Sequence, residues 1–133
     1  MSYLDTSAYG DVPDLKVLED GAEILLRIVS VEEKVSKAGN PQLVVRFEDP
    51  SDPLVDDIYC YLNLPDPDKK NSEPKKFIKS VRFMNEFFDC FSIDHSTGVD
   101  YEAIIGNEGY CIVSQEEYQG RISNKVAKFS KRR

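Results

Sequence analysis

The sequence predicts an all-β fold with a single helix, in the order β-β-β-α-β-β. Three observations lead to this prediction. β-rich runs fill residues 22–64, an apolar pattern with helical spacing covers residues 72–92, and a hairpin pattern follows at residues 109–129. This order is typical of the OB-fold, a five-stranded Greek-key barrel whose open face binds oligonucleotides and sugars.

The composition is that of an ordinary globular domain. The 133 residues are 41% hydrophobic and 31% charged, and no run approaches the roughly 18 apolar residues of a membrane helix. Residues 1–20 lack the basic start and apolar centre of a signal peptide, so we expect a cytoplasmic protein. Cys60, Cys90 and Cys111 are odd in number and widely spaced, which favours buried thiols over disulfides or a metal site.

The charge distribution matters more here than the total. A net charge of −7 argues, taken alone, against a nucleic-acid partner. However, the acidic residues concentrate in residues 1–20 and 48–74, whereas residues 75–92 and 108–133 are basic overall. A local groove that binds anions is therefore compatible with the acidic whole.

The chain divides into three predicted parts. Residues 1–20 have no sustained hydrophobic period and read as an extended N-terminal leader, which Tyr3, Leu4 and Tyr9 could pin to the barrel. Residues 21–129 form the OB-fold domain. Residues 130–133 form a basic C-terminal end.

The first strand is predicted over residues 22–35. Its apolar residues occupy both faces, which suits a barrel strand that bends and changes partners. Residues 37–40 form a turn, and the second strand starts near Pro41, which cannot donate to a ladder. The connection over residues 33–40 would be the first binding loop of an OB-fold.

The second and third strands alternate apolar and polar residues. In residues 42–48, Leu43, Val45 and Phe47 are predicted to point inward, with Val44 and Arg46 outward. In residues 55–64, the inward set is Ile58, Cys60, Leu62 and Leu64. Tyr59 and Tyr61 would then stand together on the outer face.

A helix is predicted over residues 72–92, with Ser72 as its N-cap. The apolar stripe predicted to plug the barrel consists of Phe77, Ile78, Val81, Met84, Phe87, Phe88 and Phe91. The opposite face carries Lys75, Lys79, Arg82 and Glu86.

The last two strands form a hairpin after a short turn at residues 101–105. Residues 110–113 are β-rich, Gln119 and Gly120 supply the turn, and residues 122–129 return.

An enzyme is not predicted. The single histidine, His95, lies in a polar loop without a recognisable nucleophile motif, and no phosphate-binding glycine motif is present. An acidic cluster could ligate Mg²⁺, but a solvated acidic loop explains it as well; its members are Asp49, Asp52, Asp56 and Asp57. We therefore predict no catalytic residue, no metal and no cofactor.

A binding function needs cations that follow a phosphate backbone and aromatic rings on which bases can stack. The strands and loops that OB-folds use for binding carry both. The candidates from pattern are Lys34, Lys37, Arg46, Tyr59, Tyr61, Tyr118, Arg121, Lys125 and Lys128. Tyrosines on half-buried strands and scattered surface lysines are also common without function, and the same groove could hold a peptide, as in an OB-fold adaptor protein.

Two segments carry a resemblance to a known family. GAEILLRIVSVEEKVSKAGNPQLVVRFE and DYEAIIGNEGYCIVSQEEYQGRISNKVAKF, with the helix between them, resemble small bacteriophage single-stranded-DNA-binding proteins with an OB-fold. The resemblance covers residues 15–129. It implies sequence-tolerant coating of single-stranded DNA in DNA replication or DNA recombination, in the host cell cytoplasm, with replication or recombination proteins as further partners.

Carried over residue by residue, the resemblance points to Lys37 and Asn40 in the first turn, and in the last hairpin to Tyr118, Arg121, Asn124 and Lys125. The chain departs from many cellular single-stranded-DNA-binding proteins in its basic end, where those proteins carry an acidic tail that recruits partners. Strand-edge pairing could build a homodimer, and no membrane partner is expected.

Overall fold

The fold is a closed five-stranded barrel with one helix, seen in a computed structural model that describes residues 2–130. The elements are β1 Glu23–Val35, β2 Pro41–Glu48, β3 Ile58–Asn63, a short 3-10 turn Pro67–Lys69, α1 Pro74–Cys90, β4 Glu108–Tyr118 and β5 Arg121–Phe129. The strands close in the order β1-β2-β3-β5-β4. The predicted OB-like order is confirmed, while Lys131, Arg132 and Arg133 of the predicted basic end lie outside the described residues.

β1 bends and changes partners, as its two apolar faces predicted. Its first part pairs with β4 from Glu23 to Arg27, and its second part pairs with β2 as far as Val35. The register shifts between Ile28 and Ser30, where the strand turns from one neighbour to the other. Leu26 and Ile28 lie in the core.

β2 and β3 alternate as predicted, with the apolar residues of both strands inside. β3 is shorter than the predicted residues 55–64, because Val55 leaves the ladder and pairs instead with Lys16 in an isolated parallel bridge. The outward-facing Val44 is also buried. Its cross-strand partners are Glu32 and Tyr61, whose longer side chains flank it.

α1 closes one end of the barrel, and its core face is narrower than the predicted stripe. Phe87 contacts four rings, those of Phe47, Phe88, Phe91 and Phe129. Ile78 was predicted to lie in the stripe but is 47% exposed, because it lies toward the opposite face of the helix.

The predicted N-cap Ser72 is wrong. Glu73 takes that position, with Pro74 as the first helical residue, because the Glu73 N–H donates to the Lys69 carbonyl and ties it to the preceding 3-10 turn.

The β4–β5 hairpin is longer than predicted. β4 covers residues 108–118 rather than 110–113, and it pairs with β5 as far as Tyr118 opposite Arg121. Polar residues with weak strand preference join the ladder because β5 supplies a partner for each of them. The turn is formed by Gln119 and Gly120, both with positive φ.

The leader is held at a different place from the one predicted. Tyr3, Leu4 and Tyr9 are exposed and do not pin it. Instead, residues 16–22 lie against the barrel: the Lys16 N–H donates to the Leu54 carbonyl, and the Gly21 N–H donates to the Val113 carbonyl. Backbone pairing and side-chain hydrogen bonds, rather than aromatic packing, hold the leader.

The described residues contain no helix with the length and apolarity that crossing a membrane requires.

Candidate functional site

A large concave surface lies along the seam where the barrel closes. β3 and β5 run parallel there and share a single aligned pair, Tyr59 and Lys125. Away from that pair the strands separate and leave a groove of about 690 Å³. Its walls come from β3, the β4–β5 hairpin and Phe83 of α1. We call this the seam groove.

Three tyrosines border the seam groove. Tyr59 and Tyr61 project from the outer face of β3 and are 42% and 60% exposed, while Tyr118 at the hairpin tip is 73% exposed. The outward prediction for the β3 pair is therefore confirmed. Exposed rings along one groove can stack on unpaired bases.

Each cation beside the groove has a carboxylate partner. Arg121 Nη2 lies 3.6 Å from Asp56 Oδ2, and Lys125 Nζ lies 3.6 Å from Glu116 Oε2. These ion pairs are largely exposed and too long for good hydrogen bonds, so each contributes little to stability. An incoming phosphate would compete with carboxylates for weakly held cations.

Arg46, on β2, stands at the border of the groove, where it lies opposite Tyr59 of β3. Its Nε is buried and makes no hydrogen bond within residues 2–130, and the Asp57 Oδ2 oxygen lies 3.8 Å away. A buried donor without a hydrogen-bond acceptor is costly, and the Asp57 carboxylate offsets that cost only through the longer ion pair.

Asn124 lines the groove, but its amide is occupied by the leader. The Leu18 N–H donates to Asn124 Oδ1 at 2.8 Å, and Asn124 Nδ2 donates to the Leu18 carbonyl at 3.0 Å and the Ser114 carbonyl at 3.3 Å. Asn124 thus positions the leader at one side of the groove.

A second leader contact is the pair between Lys16 Nζ and Asp52, at 2.9 Å. This pair, together with a backbone N–H, holds the pKa of the Asp52 carboxyl below its usual value.

Replacing Asn124 with alanine should release the leader from β5. Three hydrogen bonds are lost and the Leu18 N–H is left without its partner, while the Leu18 carbonyl keeps the bond from Gln115 Nε2, so we expect a loss of about 1–3 kcal/mol of unfolding free energy. Urea unfolding measures this loss, and limited proteolysis should show faster cleavage within residues 2–22. Ser123→Ala, at the neighbouring position in the groove, is the control. Unchanged stability and proteolysis in Asn124→Ala would contradict the anchoring role.

Other predicted residues lie outside the seam groove. Lys34 belongs to β1, opposite Gln42, and not to the first loop as predicted, because β1 continues in the ladder to Val35. Lys37 and Asn40 lie in the tight turn after β1, and Asn40 lines a separate cavity of about 140 Å³. Lys128 lies toward the far end of β5, opposite Ile112.

The structure therefore gathers six of the eleven predicted residues in one groove, with Arg46 beside it. The six are Tyr59, Tyr61, Tyr118, Arg121, Asn124 and Lys125.

The groove carboxylates were not foreseen as part of the site. Asp56 and Asp57 precede β3 directly, and Glu116 lies diagonally across the hairpin from Lys125, because Ser114 is the residue opposite Lys125. The hairpin register, counted back from the Gln119–Gly120 turn, could have placed Glu116. Only the barrel closure brings Asp56 to Arg121.

The two alternatives from sequence have structural explanations. Asp49 accepts hydrogen bonds from Ser51, and the rest of the acidic cluster pairs with cations, so no group in the described part of the chain has the arrangement of a metal site. His95 packs on the Phe88 ring, and its Nε2 lies 3.3 Å from Asp89 Oδ1.

The three cysteines are free thiols. Cys60 and Cys111 are buried as predicted, and burial raises the pKa of Cys60 to about 12. Cys90 is half-buried and donates to the Tyr110 carbonyl, while a hydrogen bond from Cys111 lowers its pKa. Because Cys60 is held as a neutral thiol, it contributes only packing to the groove floor.

The chain matches no protein-family model and no curated protein. The resemblance to phage single-stranded-DNA-binding proteins thus stays a prediction, and the function has to be argued from the groove itself.

Proposed function

We propose that the seam groove binds single-stranded DNA without sequence preference and without chemistry of its own, in phage-type replication or recombination. The observation that carries this proposal is the placement of three exposed tyrosines and two cations along one groove, with Arg46 at its border. Rings supply stacking platforms that every base can use, and cations attract the phosphates. A double helix keeps its bases stacked inside, so this groove favours a single strand.

The carboxylates set the expected strength of binding. Arg46, Arg121 and Lys125 are matched by Asp57, Asp56 and Glu116, so the groove has no excess of positive charge. Phosphates gain less from cations that already have partners, and the chain as a whole carries −7. We expect modest affinity that falls with salt.

Fluorescence anisotropy with a labelled oligo-dT of about 20 nucleotides, longer than the usual OB-fold site, tests the proposal directly. Binding should saturate with oligo-dT and be much weaker with duplex of equal length. Equal binding to both forms would contradict a stacking groove. An adaptor protein would bind neither, and shortening of the strand on addition of Mg²⁺ would indicate a nuclease.

One ion pair gives a paired prediction with opposite signs. Lys125→Gln removes a phosphate contact and should lower oligo-dT affinity about five- to tenfold at low salt, flattening the slope of log K against log salt by about 0.7. Glu116→Gln leaves Lys125 without its competitor, so affinity should rise and the slope should steepen.

Lys128→Gln is the control for Lys125→Gln, and Glu117→Gln is the control for Glu116→Gln. Each control makes the same change in net charge at a residue outside the groove lining. If the control lysine variant weakens binding as much as Lys125→Gln, binding reflects overall charge. If Glu116→Gln weakens binding, the ion pair does not compete with the strand.

A further inference from the structure

The exposed face of α1 carries a basic patch that the seam groove does not use. Lys75, Ile78, Lys79 and Arg82 are spaced so that they share one face of the helix. All four are exposed, and the three cations form no ion pair within residues 2–130. We call this set the helix patch.

The position of the helix patch works against the helix. The first turn contains two lysines and no acidic residue, and the last turn contains Asp89 and no basic residue. At the first turn, the N-cap Glu73 offsets Lys76, whose Nζ lies 3.7 Å from Glu73 Oε1, whereas Lys75 has no carboxylate partner within residues 2–130 and Asp89 opposes the macrodipole at the other end. The unpaired cations of the helix patch thus make no stabilising ion pair on the helix, and an acidic partner would supply one.

The leader has the complementary chemistry. Residues 2–15 carry Asp5, Asp11 and Asp14 and no cation. They also expose large apolar side chains, which are Tyr3, Leu4, Tyr9, Val12 and Leu15. Surfaces that combine exposed apolar groups with one sign of charge are typical of interaction sites.

The spacing of the two surfaces agrees. Lys75 and Arg82 are seven residues apart on a helix, which is about 10 Å along its axis. Asp11 and Asp14 are three residues apart, which is also about 10 Å when the chain between them is extended. Val12 lies between the two acids as Ile78 lies between the two cations, so charge and apolar contacts can form together.

We propose that the leader of one copy, through residues 2–15, docks on the helix patch of a second copy. The barrel holds the leader at residues 16–22, and residues 2–15 make no backbone hydrogen bond to it. If the turn between Thr6 and Tyr9 opened, these 14 residues would reach at most about 45–50 Å. Donor and acceptor surfaces differ, so the contact is heterologous and can link successive copies. The proposal does not rest on DNA binding and is tested without DNA.

Sedimentation velocity of the whole chain is the measurement. The weight-average mass should rise above that of one chain as the concentration increases from about 10 µM to about 500 µM, as for a small, weak interface. About 0.5 M salt should return it to a single chain, because the Debye length is then only a few ångströms. A weight-average mass that stays at one chain at every concentration overturns the proposal. Docking of a leader on the helix of its own chain would give that result.

Charge reversal identifies the contact. The leader variant is Asp5→Lys, Asp11→Lys and Asp14→Lys, and the helix variant is Lys75→Glu, Lys79→Glu and Arg82→Glu. Each should weaken self-association at least about tenfold, since like charges then face each other. A mixture of the two variants should associate again, because every leader then finds a helix patch of opposite charge.

The matched control is Glu102→Lys, Glu108→Lys and Glu117→Lys, which changes net charge as much as the leader variant but lies elsewhere. Association that survives both reversals, or that the control removes equally, overturns the proposal. If the helix variant does not fold, the test is the comparison of the leader variant with the control variant. The leader variant should fold, because residues 2–15 lie outside the barrel.

Discussion

Replacing Tyr59 and Tyr61 with alanine is expected to remove most of the affinity for single-stranded DNA while leaving the barrel folded. Both rings project from the outer face of β3 into the seam groove, and both are substantially exposed. Loss of a stacking platform costs about 1–3 kcal/mol for each stacked base, so the double variant should lose at least about 25-fold in affinity. Oligo-dT anisotropy measures this loss.

Stability should change little in these variants, because the rings lose only partial burial. The melting temperature of the double variant, measured in parallel, should stay close to that of the parent protein. Tyr59→Phe with Tyr61→Phe is the matched control, since it keeps both rings and removes only the hydroxyls, and its binding should remain. Full binding by a stable alanine double variant would remove these rings from the binding path.

Replacing Phe87 with alanine is expected to cost about 3–5 kcal/mol of unfolding free energy. The side chain is fully buried and contacts the rings of Phe47, Phe91 and Phe129, which join α1 to β2 and β5. The change leaves a cavity at the point where the helix closes the barrel. This loss is a large share of the roughly 5–15 kcal/mol that holds a typical domain folded.

Ile78→Ala is the control for Phe87→Ala. The sequence pattern puts both residues on one apolar stripe, but Ile78 is half-exposed, so its loss should be below about 1 kcal/mol. Urea unfolding measures both. Equal losses of unfolding free energy in the two variants would mean that the whole apolar stripe, and not the cluster of rings around Phe87, attaches the helix to the barrel. If Phe87→Ala does not fold, Phe87→Leu should show a smaller loss in the same direction.

Features that depend on near neighbours in the chain were predictable. The alternation of Ile58, Cys60 and Leu62 with Tyr59 and Tyr61 decides which side chains face out, because successive residues of a strand point to opposite faces. The positive φ at the Gln119–Gly120 turn and the single amphipathic helix follow from equally local signals. Element order and barrel class were therefore legible from residues 22–129.

Element ends and the extent of the helix stripe were less predictable, because partners distant in sequence set them. β4 continues to Tyr118 only because β5 pairs with it, and β3 loses Val55 to Lys16 of the leader. Periodicity alone assigns Ile78 to the core, whereas Ile78 is exposed and Phe87 is fully buried. The helix is attached by fewer residues than its pattern suggests.

By itself, the sequence determined the strand faces, the helix, the turn and therefore which tyrosines and cations are available at the surface. Only the tertiary structure decided which of them meet. Closure of β3 on β5 collects Tyr61 and Arg121 in one groove, brings Asp56 to Arg121, and commits Asn124 to the leader. The physical reason is that alternation acts over a few residues, whereas these contacts join positions more than 50 residues apart, which only the barrel can juxtapose.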